Sequence, residues 1–108
     1  MTTIRLSGAQ VTQLVELLTV AAAAATSDED RYQLHYSLGQ VREQMPPVEV
    51  LVLAGVLSEV PERPGPDLAV RNQCRWWSAY LAHLLSVASA ATLAEISQGE
   101  RPALRLAS

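Results

Sequence analysis

The sequence predicts an all-α domain, a four-helix, bundle-like fold with a long C-terminal helix. Three observations predict it. Capping residues stand at regular intervals, apolar residues recur at three- and four-residue spacing, and Pro- or Gly-containing breaks fall between the periodic segments. A chain of 108 residues is one domain, spanning 1–108, with helices expected at about 8–26, 28–45, 47–60 and 67–98.

The first helix opens with Ser7-Gly8-Ala9-Gln10, a capping box in which the Ser hydroxyl accepts from the Gln10 amide and the Gln side chain returns to the Ser7 amide. Leu6 and Val11 stand where a hydrophobic staple would place them. Val11, Leu14, Val15, Leu18, Ala22 and Ala25 form the apolar face, and the run Ala21–Ala25 is a strong helix former.

Ser27 is positioned to cap the second helix, with Asp28, Glu29 and Asp30 in the first turn where the helix dipole favours acids. Leu34, Leu38, Val41 and Met45 make its stripe, flanked by Tyr32, His35 and Tyr36. Gly39 in its interior suggests a close crossing.

Pro46-Pro47 ends that helix and can start the next. The segment Val48–Val60 is apolar on nearly every side, which suits a central helix. A buried strand at 48–53 competes, because β-branched residues are frequent there. Helix is favoured, since thirteen residues is long for a strand and no partner strand lies nearby.

Pro61-Glu62-Arg63-Pro64-Gly65-Pro66 reads as a rigid loop, after which Asp67 caps the fourth helix. Gly99 and Pro102 are its expected stop. Ser78, Ala82, Ser86, Ala90 and Ala94 recur every fourth residue, a thin stripe suited to close helix approach. Trp77, Leu81, Leu84, Leu85 and Ala88 supply the bulk beside it. The two ends, Ile4-Arg5-Leu6-Ser7 and Leu104-Arg105-Leu106-Ala107, both alternate apolar residues with Arg. They are candidates for short paired terminal strands, with frayed tails the favoured alternative.

Composition bounds the function. The single cysteine, Cys74, excludes an internal disulfide and fits a reducing, cytoplasmic setting. Met1-Thr2-Thr3-Ile4-Arg5 lacks the layout of a signal peptide. Neither Val11–Ala25 nor Ala79–Ala94 reaches clean membrane-spanning length. With eight Arg, no Lys, no Phe and one Asn, the usage is that of a GC-rich, bacterial or phage genome. A net charge of −3 leaves no general nucleic-acid footprint. Charge is uneven: residues 26–62 hold seven acids against two Arg, and residues 71–108 four Arg against two acids. Attraction between the halves is conceivable, but solvated faces are the simpler reading.

No catalytic, metal or cofactor constellation emerges. Neither His35 nor His83 has an acid three residues before it, so a helical di-iron pattern is missing, and no Gly-rich phosphate loop occurs. The expectation is a non-enzyme without cofactor. Cys74 has Arg71 one turn earlier and Arg75 beside it, which would lower a thiol pKa, so a thiol-based enzyme or redox sensor is one alternative. Arg71-Asn72-Gln73-Arg75 could reach base edges, so a small regulatory DNA-binding or anti-activator protein is another.

The leading reading is a protein–protein interaction module, a bacterial or phage adaptor or inhibitor that occludes a larger protein. Trp76 and Trp77 are adjacent, so both rings cannot face one narrow core stripe. Arg71, Arg75, Trp76 and Tyr80 are the candidate partner-binding patch, because Trp and Arg are enriched at binding hot spots. The bland alternative has Trp77 and Tyr80 plugging the core and Trp76 lying under the Pro61–Pro66 loop. Tyr32 and Tyr36, beside His35, form a second candidate surface. A homodimer is expected, because a nearly all-apolar third helix leaves surface to cover.

Overall fold

A computed structural model describes the backbone over residues 3–107 and side chains over residues 3–89. Four helices carry the fold: α1 (Gly8–Ala24), α2 (Asp28–Gln40), α3 (Pro47–Glu59) and α4 (Leu68–Ala107). Two-residue strands β1 (Ile4–Arg5) and β2 (Gln44–Met45) pair antiparallel, Ile4 opposite Met45 and Arg5 opposite Gln44. A 3-10 turn, Val60–Glu62, follows α3.

The helix starts are set by the residues the sequence marks. Ser7 accepts from Gln10 N, and Gln10 Oε1 accepts from Ser7 N at 2.9 Å, closing the capping box. Ser27 Oγ accepts from Asp30 N and Asp67 Oδ1 from Val70 N, each satisfying an amide that the first turn leaves unpaired. Pro47 occupies the first position of α3, where a missing N–H loses nothing. At the far end of α1, Arg31 Nη2 donates to Ala25 O at 3.1 Å, covering a carbonyl past the last turn.

One apolar cluster joins all of these. Leu14, Leu18, Met45, Leu53, Leu57 and Leu81 are fully buried, with Val50 and Cys74. Helix α3 lies along α4, where Ser78 Oγ donates to Ala54 O at 3.1 Å, a contact that only small side chains at both positions permit. Ala82 and Ser86 of the small stripe instead face solvent. Ala90 and Ala94 fall outside the described side chains.

The strand pairing, two helix ends and one helix interior differ from expectation. Ile4–Arg5 pairs with Gln44–Met45 and not with the C-terminal end, since 104–107 lie within α4. Helix α2 stops at Gln40, five residues early. A residue before proline is pushed towards extended backbone, and the released segment gives β1 a partner, with Leu6 N donating to Glu43 O at 2.8 Å. Met45 is therefore buried from a strand. Helix α4 passes Gly99 and Pro102: a Gly costs about 1 kcal/mol and a Pro about 3 relative to Ala, neither of which forbids a helix rich in Ala, Leu, Glu and Arg. Gly39 marks no close crossing, as a Cβ there would meet nothing within 4 Å.

The 47–60 segment is helical, not a strand, but it is not sheathed on all sides. Val50, Leu53, Ala54 and Leu57 are buried, whereas Val48, Leu51 and Val52 are 65%, 61% and 52% exposed. In so small a domain the neighbouring helices cover only one side of α3, leaving the opposite apolar face open. Among the described residues the charge imbalance produces no bridge between chain halves. The ion pairs of the described residues, Arg31–Asp28, Arg42–Glu49, Arg63–Asp30 and Arg63–Glu59, all fall within 28–63.

Candidate functional site

The adjacent tryptophans part company. Trp77 lies in the core at 5% exposure, while Trp76 is 58% exposed and does not sit under the Pro61–Pro66 loop. Consecutive helical residues diverge by about 100°, so burial of one forces the other to the flank. Trp76 is nevertheless held in place. Its ring stacks on Tyr80 with centroids 5.2 Å apart and planes 12° from parallel, and it meets Trp77 edge-on at 5.0 Å and 87°. Tyr80 meets Trp77 at 5.7 Å and 83°, completing a three-ring cluster.

This cluster forms one side of a groove between α1 and α4. Gln13, Glu16, Leu17 and Val20 form the α1 wall, and Val70, Gln73, Trp76 and Trp77 the α4 wall, around a volume of about 510 Å³. Each set repeats at three or four residues, so each is one helical stripe. The floor is apolar, with Leu17, Val70 and Trp77 buried, and Val20 and Trp76 are half exposed above it. Both ends are pinned. At one, Gln10 Nε2 donates to Tyr80 Oη at 3.1 Å, so a single amide completes the α1 cap and ties α1 to α4. At the other, the loop before α4 lies against the end of α1: Gly65 has φ +112°, and a Cβ there would stand 2.0 Å from Ala24 O. No side chain larger than hydrogen fits, which explains the glycine between two prolines.

The remaining patch residues do not gather around Trp76. Arg71 Nη2 donates to Arg63 O at 3.2 Å, tying α4 to the loop, and Arg75 Nη1 donates to Asn72 Oδ1 at 3.0 Å. Of Arg71, Arg75, Trp76 and Tyr80, the structure brings together the two aromatics. Gln73 turns into the groove, so Arg71-Asn72-Gln73-Arg75 presents no single polar face. Cys74 is fully buried, and burial pushes its thiol up to about 11, opposite to the lowering that neighbouring arginines would give.

Tyr32 and Tyr36 are 71% and 57% exposed on α2. With Val52 of α3 they line a second groove that reaches Gly55 and Glu59. Adjoining it, Tyr36 and Val52 also border a hollow lined by Val48 and Glu49, so the two regions form one apolar face with Leu51 beside it. His35 and His83 are exposed. Among the described residues no group of three or more His, Cys, Asp or Glu is placed to hold a metal ion, and no helix is long and apolar enough to cross a membrane.

The α1 wall of the first groove escapes a one-stripe reading of the sequence. Leu17 and Val20 lie off the Val11–Leu14–Leu18 stripe, and two apolar residues left over on a second face were the available signal. No protein-family model, curated protein or solved structure matches the chain.

Proposed function

We propose that the protein is a small helical binding module that docks on another protein through the α1–α4 groove, acting by occlusion as an adaptor or inhibitor of bacterial or phage origin in a reducing cytoplasm. The observation that carries this reading is Trp76, 58% exposed yet fixed by Tyr80 and Trp77 on the wall of a groove pinned at both ends. A pre-positioned aromatic loses little freedom on binding, so more of its burial shows as affinity. Covering the exposed fraction of a side chain that buries up to roughly 250 Å² is worth about 3 to 4 kcal/mol, the range of a hot spot.

The test is affinity capture from lysate of a GC-rich bacterium with wild type and Trp76→Ala in parallel, both shown by circular dichroism to be folded. A partner held by wild type and lost by the variant supports the reading. Equal capture by both moves the contact off this groove.

A second reading is favoured by the open face of Tyr32, Tyr36, Val48, Leu51 and Val52, five large apolar side chains each more than half exposed. Contiguous apolar surface of this kind is unusual on a monomer, and self-association into a homodimer would cover it. The two surfaces lie on different helix pairs, so both readings can hold together. A DNA-binding role for the start of α4 has less support, because Arg71 and Arg75 are engaged by Arg63 O and Asn72. A reactive Cys74 has less support because the thiol is buried and protonated.

A further inference from the structure

We infer that the α1–α4 groove takes an amphipathic helix of a partner protein and seats one of its lysine or arginine side chains between Glu16 and the outer face of Trp76. The inference rests on the binding-module reading and names what the groove recognises.

The class of occupant follows from the walls. Both are helices whose backbone donors and acceptors are used internally, so an extended strand would find no free edge to pair with. Recognition must come from side chains, and two helical stripes facing each other leave the ridge-and-groove relief into which a third helix packs. The α1 stripe runs from Gln13 to Val20, two turns or about 10 Å of helix, and the pins at Gln10–Tyr80 and Ala24–Gly65 set that length. The buried floor of Leu17, Val70 and Trp77 calls for apolar side chains on the incoming face.

The sign of the charged contact follows from Glu16. It is the single ionisable side chain lining the groove, it is exposed, and among the described residues no cation or hydrogen-bond donor is paired with it. The Trp76 ring stacks on Tyr80 and stands at a right angle to Trp77, and with 58% of the residue exposed much of the indole surface stays open. A carboxylate and an open indole face on the same groove both attract a cation, the first by charge and the second through the ring quadrupole. A guanidinium does both at once, stacking on the ring while donating to the carboxylate. An acidic residue in the same place would be repelled by Glu16. Gln13 and Gln73, one on each wall, can hydrogen-bond the polar flank of the incoming helix.

The experiment is selection of a phage-displayed library of helix-framed random peptides against the full folded chain. The enriched peptides are then synthesised and measured by calorimetry against wild type, Glu16→Gln, Glu16→Arg and Trp76→Ala, each confirmed helical by circular dichroism. The expected peptides carry a Lys or Arg within one turn of an apolar pair. They lose about tenfold in affinity to Glu16→Gln and about a hundredfold to Trp76→Ala, their affinity for wild type falls with added salt more than for Glu16→Gln, and Glu16→Arg enriches acidic peptides instead. Peptides without a basic residue, or peptides indifferent to Glu16→Gln, overturn the cation assignment while leaving the groove as the binding site. Peptides indifferent to Trp76→Ala place binding elsewhere and overturn the groove reading as well. If no peptide is enriched the helix inference fails, and lysate capture with the Trp76→Ala variant decides the binding-module reading separately.

Discussion

Replacing Gly65 with alanine is a severe test of how α1 and α4 are held apart and together. The loop residue has φ +112°, and its new methyl would stand 2.0 Å from Ala24 O, 3.1 Å from Ala24 C and 3.2 Å from Thr26 Cγ2. A positive φ alone costs a side-chain-bearing residue about 1 to 3 kcal/mol. The oxygen contact is more than 1 Å inside ordinary van der Waals distance and involves backbone, which cannot rotate away, so the loop must lift. Lifting it loosens Pro66 and Ala25, both buried at this junction. The combined loss is about 3 to 5 kcal/mol, a large part of the roughly 5 to 15 kcal/mol that holds such a domain folded. Urea unfolding followed by far-ultraviolet circular dichroism reads it directly: with a slope near 1.5 kcal/mol per molar, the midpoint falls by about 2 to 3 M. Gly55→Ala is the internal control. Gly55 lies inside α3 with nothing within 4 Å of the new methyl, so alanine there raises stability by about 0.5 to 1 kcal/mol. A Gly65→Ala variant losing less than about 1 kcal/mol would refute the packing of this loop against the end of α1, and with it the pinned groove.

Leu57 is fully buried where α3 meets the common core, and Leu57→Ala lowers stability by about 2 to 5 kcal/mol, seen as a fall in Tm of roughly 10 °C or more. The Cys74 thiol is raised from 9.0 to about 11 by burial, so the folded state holds its proton more tightly than the unfolded state. Its contribution to stability is complete below pH 9 and is lost as pH rises from 9 through 11, by about 2 to 3 kcal/mol. Unfolding titrations across that range show wild type losing this increment relative to Cys74→Ala, and parallel curves for the two proteins would contradict it. If the Tyr32–Val52 face self-associates, sedimentation equilibrium is expected to give a concentration-dependent dimer for wild type that Leu51→Asp with Val52→Asp converts to monomer without loss of helicity. A wild type that stays monomeric at high concentration removes the self-association reading.

The helix starts were legible in the sequence because each depends on a few adjacent residues. Ser7 with Gln10, Ser27, Pro46-Pro47 and Asp67 act locally, and all four mark a start within one or two residues. The ends were less legible because they depend on distant partners. Nothing in the stretch 41–45 announces a strand, and β2 forms because Ile4 and Arg5 arrive to pair with it. The candidate site divides along the same line. That one of two adjacent tryptophans must leave the core is a local fact of helix geometry. Which one leaves depends on Trp77 sharing a side of α4 with Val70, Cys74 and Leu81, the buried 3-4 repeat. Arg71 and Arg75 looked like companions of Trp76 by spacing, but their nearest acceptors, Arg63 O and Asn72 Oδ1, draw them elsewhere. Glu16 belongs to the site only because the chain folds back on itself over some sixty residues, a relation that no short-range pattern carries.

The three-ring cluster also makes the protein its own optical reporter. Both tryptophans of the chain line the α1–α4 groove, so intrinsic indole emission originates at that one place. Trp77, enclosed by the core, emits at shorter wavelength than the half-solvated Trp76, and the close, fixed angles among Trp76, Trp77 and Tyr80 generate near-ultraviolet dichroism that collapses once their geometry is lost. An occupant of the groove shifts the red component towards blue, whereas association through the Tyr32–Val52 face leaves both components unchanged. An unlabelled sample therefore tells which of its two apolar surfaces a given partner has covered.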